Sequence, residues 1–162
     1  MQRRHFVASL AGLFAVHRIA GAADKAASAN GLKVEKLKLS DEEWKKRLAP
    51  DQYATLRHEA TERPGSSPFN SEKRKGTFVC AGCDLPLFKS ETKFESGTGW
   101  PSFYDYIPGS LEKKRDFLLI VPRTEYHCAR CEGHQGHVFE DGPKPTGLRY
   151  CNNGVALKFV PA

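Results

Sequence analysis

The sequence lacks a hydrophobic run long enough to cross a membrane as a helix. Its uncharged stretch Phe6 to Val16 spans eleven residues, against about 20 for a bilayer. His17 and Arg18 then close it, which argues against a stable membrane anchor. It also lacks an even cysteine count. Five cysteines cannot all pair as disulfides, so at least one sulfur has another use. Charge of one sign is not dominant either, with 25 Lys and Arg against 19 Asp and Glu, a net +6. There is no internal repeat beyond two cysteine pairs, and no collagen-like or coiled-coil composition. What is present is 162 residues, 40% hydrophobic and 27% charged, with ten Phe, five Tyr and two Trp. That is the make-up of one soluble globular domain, since disordered chains are poor in aromatics.

Residues 1–30 read as an export signal and residues 31–162 as the domain proper. Arg3 and Arg4 form a positive start, the apolar stretch follows, and Ala20-Gly21-Ala22 and Ala27-Ser28-Ala29 are small-residue cleavage patterns. Gln2-Arg3-Arg4-His5-Phe6-Val7 is similar to a twin-arginine signal. A general secretory signal and an Ala-rich mitochondrial presequence are the other readings. The expected destination is the periplasm or the exterior. Arg3, Arg4, Arg18 and Lys25 against Asp24 give this segment +3, half of the whole charge. The remaining +3 is ordinary for a soluble domain, and no nucleic-acid partner is expected.

In the domain, Ser40 followed by Glu43 is a capping-box pattern that predicts a helix over about Asp41–Leu48. A second short helix is expected near Asp51–Glu59, after Pro50. Pro64, Gly65 and Pro68 mark Thr61–Asn70 as a loop. From Thr77 onward the pattern is strand-like. Phe117–Val121 reads as a buried strand, and Thr124–Cys128, His137–Phe139 and Val155–Val160 as others. The fold class expected is mainly β and antiparallel, with short helices at its start.

Cys80-Ala81-Gly82-Cys83 and Cys128-Ala129-Arg130-Cys131 are two CxxC pairs, separated by 44 residues. Each turn can place two thiolates on one side of a knuckle, and two knuckles supply a tetrahedral zinc ion. A redox dithiol or a disulfide is the alternative for either pair alone. Gly82 and Gly133, inside or just beyond the turns, favour metal. A four-cysteine site is closed to substrate, so one structural zinc is expected at Cys80, Cys83, Cys128 and Cys131.

Cys151 is the remainder. A lone cysteine is often a buried small hydrophobe. Here Arg149 stands two residues before it and Asn152 and Asn153 follow. A nearby positive charge lowers a thiol pKa, and strand alternation puts Arg149, Cys151 and Asn153 on one face.

Gly97-Thr98-Gly99-Trp100-Pro101-Ser102-Phe103, His134-Gln135-Gly136-His137-Val138-Phe139, Gly142-Pro143-Lys144-Pro145-Thr146-Gly147 and Arg149-Tyr150-Cys151 occur in order with the two CxxC pairs. The ordered set resembles the B-type methionine sulfoxide reductases, from about Ser40 to the C-terminus. The resemblance implies two antiparallel β-sheets forming a small sandwich or barrel-like domain, and zinc on the paired cysteines. It implies that Cys151 attacks the sulfoxide of a methionine R-sulfoxide and becomes a sulfenic acid. His134 and His137 would supply proton transfer. Trp100 would give the substrate methyl an apolar face, Asn153 would orient the site, and Arg149 would favour the thiolate.

The sequence departs from that pattern in four places. Many family members carry a second redox cysteine where Thr98 stands. Recycling should then need an external thiol: a thioredoxin-like protein, a glutaredoxin or glutathione. Asn152 and Gln135 replace commonly apolar residues, and Gly154 replaces a serine. Partners expected are oxidised peptides or proteins and the thiol reductant, and the expected state is a monomer. Two competing readings remain at this level. A zinc-stabilised binding module leaves the fifth cysteine unexplained, and a peroxide-sensing or thiol-transfer protein leaves the Trp100 segment unexplained.

Overall fold

A computed structural model describes residues 34–117 and 122–162. The export-like segment lies outside the described residues. The first described element follows from its caps. Ser40 and Glu43 form the expected capping box, the Ser40 amide donating to Glu43 Oε2 at 2.7 Å. It opens helix α1, Asp41–Arg47, with acids in the first turn and bases in the last, as the helix dipole favours. Pro50 begins α2, Pro50–His58, where a missing amide hydrogen costs nothing. Glu59, in the left-handed region at φ 56°, ends it. Trp44 of α1 and Leu56 of α2 are the anchors that bury these helices against the core.

Among the described residues nine strands follow: β1 (Gly76–Cys80), β2 (Pro86–Lys89), β3 (Lys93–Phe94), β4 (Ser102–Phe103), β5 (Leu111–Asp116), β6 (Arg123–Cys128), β7 (His134–Phe139), β8 (Arg149–Asn152) and β9 (Leu157–Pro161). They form a three-stranded sheet ordered β2-β1-β9 and a six-stranded sheet ordered β3-β4-β8-β7-β6-β5. Every pairing is antiparallel. The sheets meet through aromatic rings. Phe88 of the small sheet stacks on Phe103 of the large one at 4.1 Å between centroids and 9° between planes. Phe78 meets Phe103 edge to face at 5.0 Å, and Tyr126 and Tyr150 close the cluster at 5.4 Å. Such rings carry the largest apolar area per residue and prefer these offset or edge contacts.

Two elements differ from the sequence reading. Pro68–Ser71 is a short 3-10 turn inside the expected loop. Phe117, expected to begin a buried strand, lies just past β5 and is 70% exposed; residues 118–121 of that stretch lie outside the described residues. The charged strand just before it, Leu111-Glu112-Lys113-Lys114-Arg115-Asp116, was not expected from the sequence. It sits at the edge of its sheet, where charged side chains prevent pairing with another chain.

Candidate active site

The two CxxC knuckles have the same build. The amide of Asp84 donates to the Cys80 carbonyl and that of Glu132 to the Cys128 carbonyl, each at 2.9 Å. Asp84 and Glu132 take φ near +59° and +58°, so the left-handed residue follows the second cysteine in both turns. The glycines stand beside the cluster, against Leu56 and Cys131. They leave room: a Cβ on Gly133 would meet Leu56 Cδ2 at 2.9 Å and Cys131 Sγ at 3.3 Å.

The knuckles meet. All four sulfurs lie within 4.8 Å of one another and all four residues are buried. Cys80 and Cys131 Sγ are 3.6 Å apart, and Cys83 and Cys128 Sγ 3.5 Å. A tetrahedron with bonds of about 2.3 Å has edges of about 3.8 Å, so the donor set fits zinc. Hydrogen bonds with Cys128 raise the Cys80 and Cys131 thiols and lower Cys83, while a hydrogen bond with Cys131 lowers Cys128. Four thiolates at this spacing require a cation between them.

Cys151 lies on β8, between β4 and β7. Across β4 it pairs with Ser102 and across β7 with His137. It opens into a cavity of about 200 Å³ lined by Thr61, Trp100, Arg123, Gly136, His137, Phe139, Cys151, Asn152 and Asn153. The lining is mixed in character. Trp100 and Phe139 offer apolar faces, and Arg123, His137 and the asparagines offer polar ones.

Of the expected site residues, Cys151, His137, Trp100 and Asn153 line this one cavity. His134 and Arg149 do not. His134 is buried, its Nδ1 2.7 Å from Glu125 Oε1, and it borders a separate polar cavity of about 250 Å³ with Glu59, Lys114 and Glu125. Its ring still meets that of His137 edge to face at 5.6 Å. Arg149 turns to Asp141, donating from Nε and an Nη at 2.8 Å each, and stacks over Phe139 at 4.4 Å.

Those contacts decide the protonation of the site. Burial pushes the Cys151 thiol above its ordinary value, although the nearby Arg149 charge and the Thr98 hydroxyl bonded to it pull it down. Arg149 acts in the expected direction, but burial outweighs it, and its guanidinium is also shared with Asp141. Burial likewise lowers His137, against a raising hydrogen bond from Asp116. His137 Nε2 is 2.8 Å from Asp116 Oδ2, which also accepts from Arg123 at 2.7 Å.

The organising residue that sequence reasoning missed is Glu62. Its carbonyl accepts from Trp100 Nε1 at 3.1 Å, and its amide donates to Asn153 Oδ1 at 3.0 Å. Its carboxylate receives the amides of Gly154 and Val155 at 2.6 and 3.1 Å. One loop residue thus fixes two of the cavity's lining groups, a ring and an amide. The Gly154 departure also has a cause. A Cβ there would lie 1.9 Å from Ser67 Oγ, so glycine is what Ser67 leaves room for.

A family model described as "SelR domain" matches residues 48–161. The chain is 54% identical over 129 residues to "Peptide methionine sulfoxide reductase MsrB" of Pseudomonas putida, over 79% of this chain and 97% of that protein. It is 50% identical over 127 residues to the protein of the same name from Agrobacterium fabrum, over 78% and 94%. To "Peptide methionine sulfoxide reductase B1, chloroplastic" of Arabidopsis thaliana it is 52% identical over 121 residues, over 74% and 60%. Fold and site therefore set the class, a SelR domain carrying a four-cysteine cluster beside a single cavity cysteine. The chain belongs to the family of B-type methionine sulfoxide reductases.

Proposed function

We propose that this protein reduces the R epimer of methionine sulfoxide in peptides and proteins, with Cys151 as nucleophile and an external thiol as reductant. The observation that carries the reading is the pairing of Cys151 with His137 at a cavity walled by Trp100. In the free protein the buried thiol stays protonated, and His137 stays neutral. Transfer of the thiol proton towards the imidazole produces both the thiolate and the acid the reaction needs. With Nε2–H donated to Asp116, His137 Nδ1 is the nitrogen left to exchange that proton.

The Cys151 sulfur then attacks the sulfoxide, the sulfoxide oxygen is protonated, and the S–O bond to methionine breaks. The products are methionine and a Cys151 sulfenic acid, the oxygen having passed from one sulfur to the other. One external thiol attacks the sulfenic acid, releasing water and forming a mixed disulfide. A second thiol frees Cys151. Trp100 takes the substrate methyl on its face while the oxygen lies toward the polar side. Exchanging those two groups inverts the epimer, so an apolar wall opposite a polar one selects between them.

Zinc at Cys80, Cys83, Cys128 and Cys131 would cross-link two knuckles and support folding. Among the described residues no helix is long and apolar enough to cross a membrane. Export through the twin-arginine-like segment remains part of the proposal, as does a monomeric enzyme working on exposed oxidised methionines. The test is turnover of a methionine R-sulfoxide peptide with dithiothreitol by the zinc-replete wild type and by Cys151→Ser. Turnover lost in the variant supports the reading; a folded wild type without turnover overturns it.

A further inference from the structure

Two departures toward polarity, Gln135 and Asn152, lie far apart in the sequence but touch in the fold. Both side chains are fully buried. Gln135 Nε2 donates to Cys80 Sγ at 3.4 Å, and Gln135 Oε1 accepts from Asn152 Nδ2 at 3.4 Å. Asn152 Oδ1 accepts from the buried Tyr126 hydroxyl at 2.8 Å, and Asn152 Nδ2 also reaches the Asn153 carbonyl at 2.8 Å. A continuous chain of hydrogen bonds thus leads from a sulfur of the cysteine cluster to the residue after Cys151. The backbone runs beside it: the Gln135 carbonyl accepts from the Asn153 amide at 2.8 Å and from Asn153 Nδ2 at 3.1 Å. The Asn152 amide donates to Pro101, next to Trp100, at 2.9 Å.

The chemistry gives the link a direction. An amide N–H aimed at a buried sulfur is best satisfied when that sulfur is a metal-bound thiolate, a charged acceptor. Groups that hydrogen-bond metal ligands set ligand orientation, and their loss costs about 10–100-fold in metal affinity. The amide of Gln135 can keep this aim only while its oxygen is held, and Asn152 holds it. Replacing one member by an apolar side chain strands the other's buried amide; replacing both removes the Gln135–Asn152 pair together and leaves only the Tyr126 hydroxyl without its acceptor, as Asn152→Val already does.

We infer that Gln135 and Asn152 form one hydrogen-bonded strut that couples metal retention at Cys80 to the placement of the strand presenting Cys151. Asn152 touches no cysteine of the cluster, yet it belongs to the metal site's support. Gln135 is a positioning residue for a cavity it does not line. The link to catalysis rests on Cys151 as the nucleophile; the metal arm does not.

The full chain loaded with one equivalent of zinc tests this through the rate of zinc release to a chromogenic chelator. Gln135→Leu should release zinc about tenfold or more faster than wild type. Asn152→Val should also release it several-fold faster. The double variant should match Gln135→Leu alone, because the second change has no strut left to break. Phe69→Leu, in the Pro68–Ser71 turn and on no strand that carries a cluster cysteine, controls for loss of stability and should release zinc at the wild-type rate. If Gln135→Leu does not fold, the double variant, with its apolar pair, is compared with Asn152→Val. Wild-type release by Asn152→Val, additive effects in the double variant, or equally fast release by Phe69→Leu would overturn the strut. Each of these results is independent of whether the protein turns over a sulfoxide.

Discussion

Cys151 and His137 are direct partners across the β8–β7 ladder, the sulfur and the imidazole entering one cavity from neighbouring strands. Their distance is thus set by the sheet and not by a loop, and rigid elements hold reacting groups best. Burial raises the thiol and lowers the imidazole. Both shifts favour the neutral forms of the two groups, and the proposed mechanism has the thiol proton pass towards the imidazole.

Alkylation of Cys151 in the zinc-replete, substrate-free protein should follow this. Its rate against pH should rise with a midpoint above the ordinary thiol value, since burial opposes the thiolate. Arg149→Met should move the midpoint higher still, because the Arg149 charge lowers it. A profile complete below pH 7 contradicts the assignment. Iodoacetamide kinetics with mass localisation make the measurement.

His137→Gln should lower kcat by about 10²–10⁴-fold, the usual span for a lost acid–base group. Asp116→Asn should cost less, because the imidazole stays in place and loses only the carboxylate that orients Nε2. Steady-state kinetics on a sulfoxide peptide, with circular dichroism for folding, compare the two. Equal and small losses would remove His137 from the proton transfer.

His127 gives a pH dependence of stability with a definite sign. Its interaction with the buried Glu125 carboxylate, which accepts from the ring, raises its pKa in the fold, against the opposing effect of burial. The imidazolium therefore stabilises fully below the unfolded value of about 6.5, and that contribution disappears as pH rises through the higher folded value. Denaturant unfolding of the wild type and His127→Gln should differ more at pH 5.5 than at pH 9. A difference growing with pH contradicts the ion pair with Glu125.

Restoring serine at position 154 should be harmful here. Its Cβ would fall 1.9 Å from Ser67 Oγ, and overpacking of this sort costs about 1–3 kcal/mol. Ser67→Gly should rescue Gly154→Ser, since it removes the obstructing side chain. Thermal unfolding of the two singles and the double reads this, and equal melting of Gly154→Ser and wild type would refute the clash.

Some of this is legible along the chain and some is not, for physical reasons. The CxxC pairs announce themselves because each knuckle is built locally, and Cys151 follows as the sulfur left over. The Ser40–Glu43 box is local as well, and it marked α1 to within a residue. Partners brought by the fold were hidden. Nothing near Arg149 says that Asp141 shares its charge, and nothing near His134 says that Glu125 turns it from the cavity. Glu62 works half through its backbone, which a side-chain motif does not encode, and half through a carboxylate whose partners, Gly154 and Val155, are distant in the sequence. Strand β5 escaped because an edge strand needs few apolar residues, while the apolar run beside it drew the assignment.

The most direct measurement is intact mass after one turnover without reductant. Zinc-replete protein is mixed with one equivalent of methionine R-sulfoxide peptide, then quenched and trapped with a sulfenic-acid reagent such as dimedone. Thr98 stands beside Cys151, and the other four sulfurs are gathered in their own cluster. The expected result is one trapped sulfenic acid, on Cys151, with zinc still bound. A stoichiometric disulfide between Cys151 and a cluster cysteine, with zinc released, would contradict the division of five sulfurs into four for scaffold and one for chemistry.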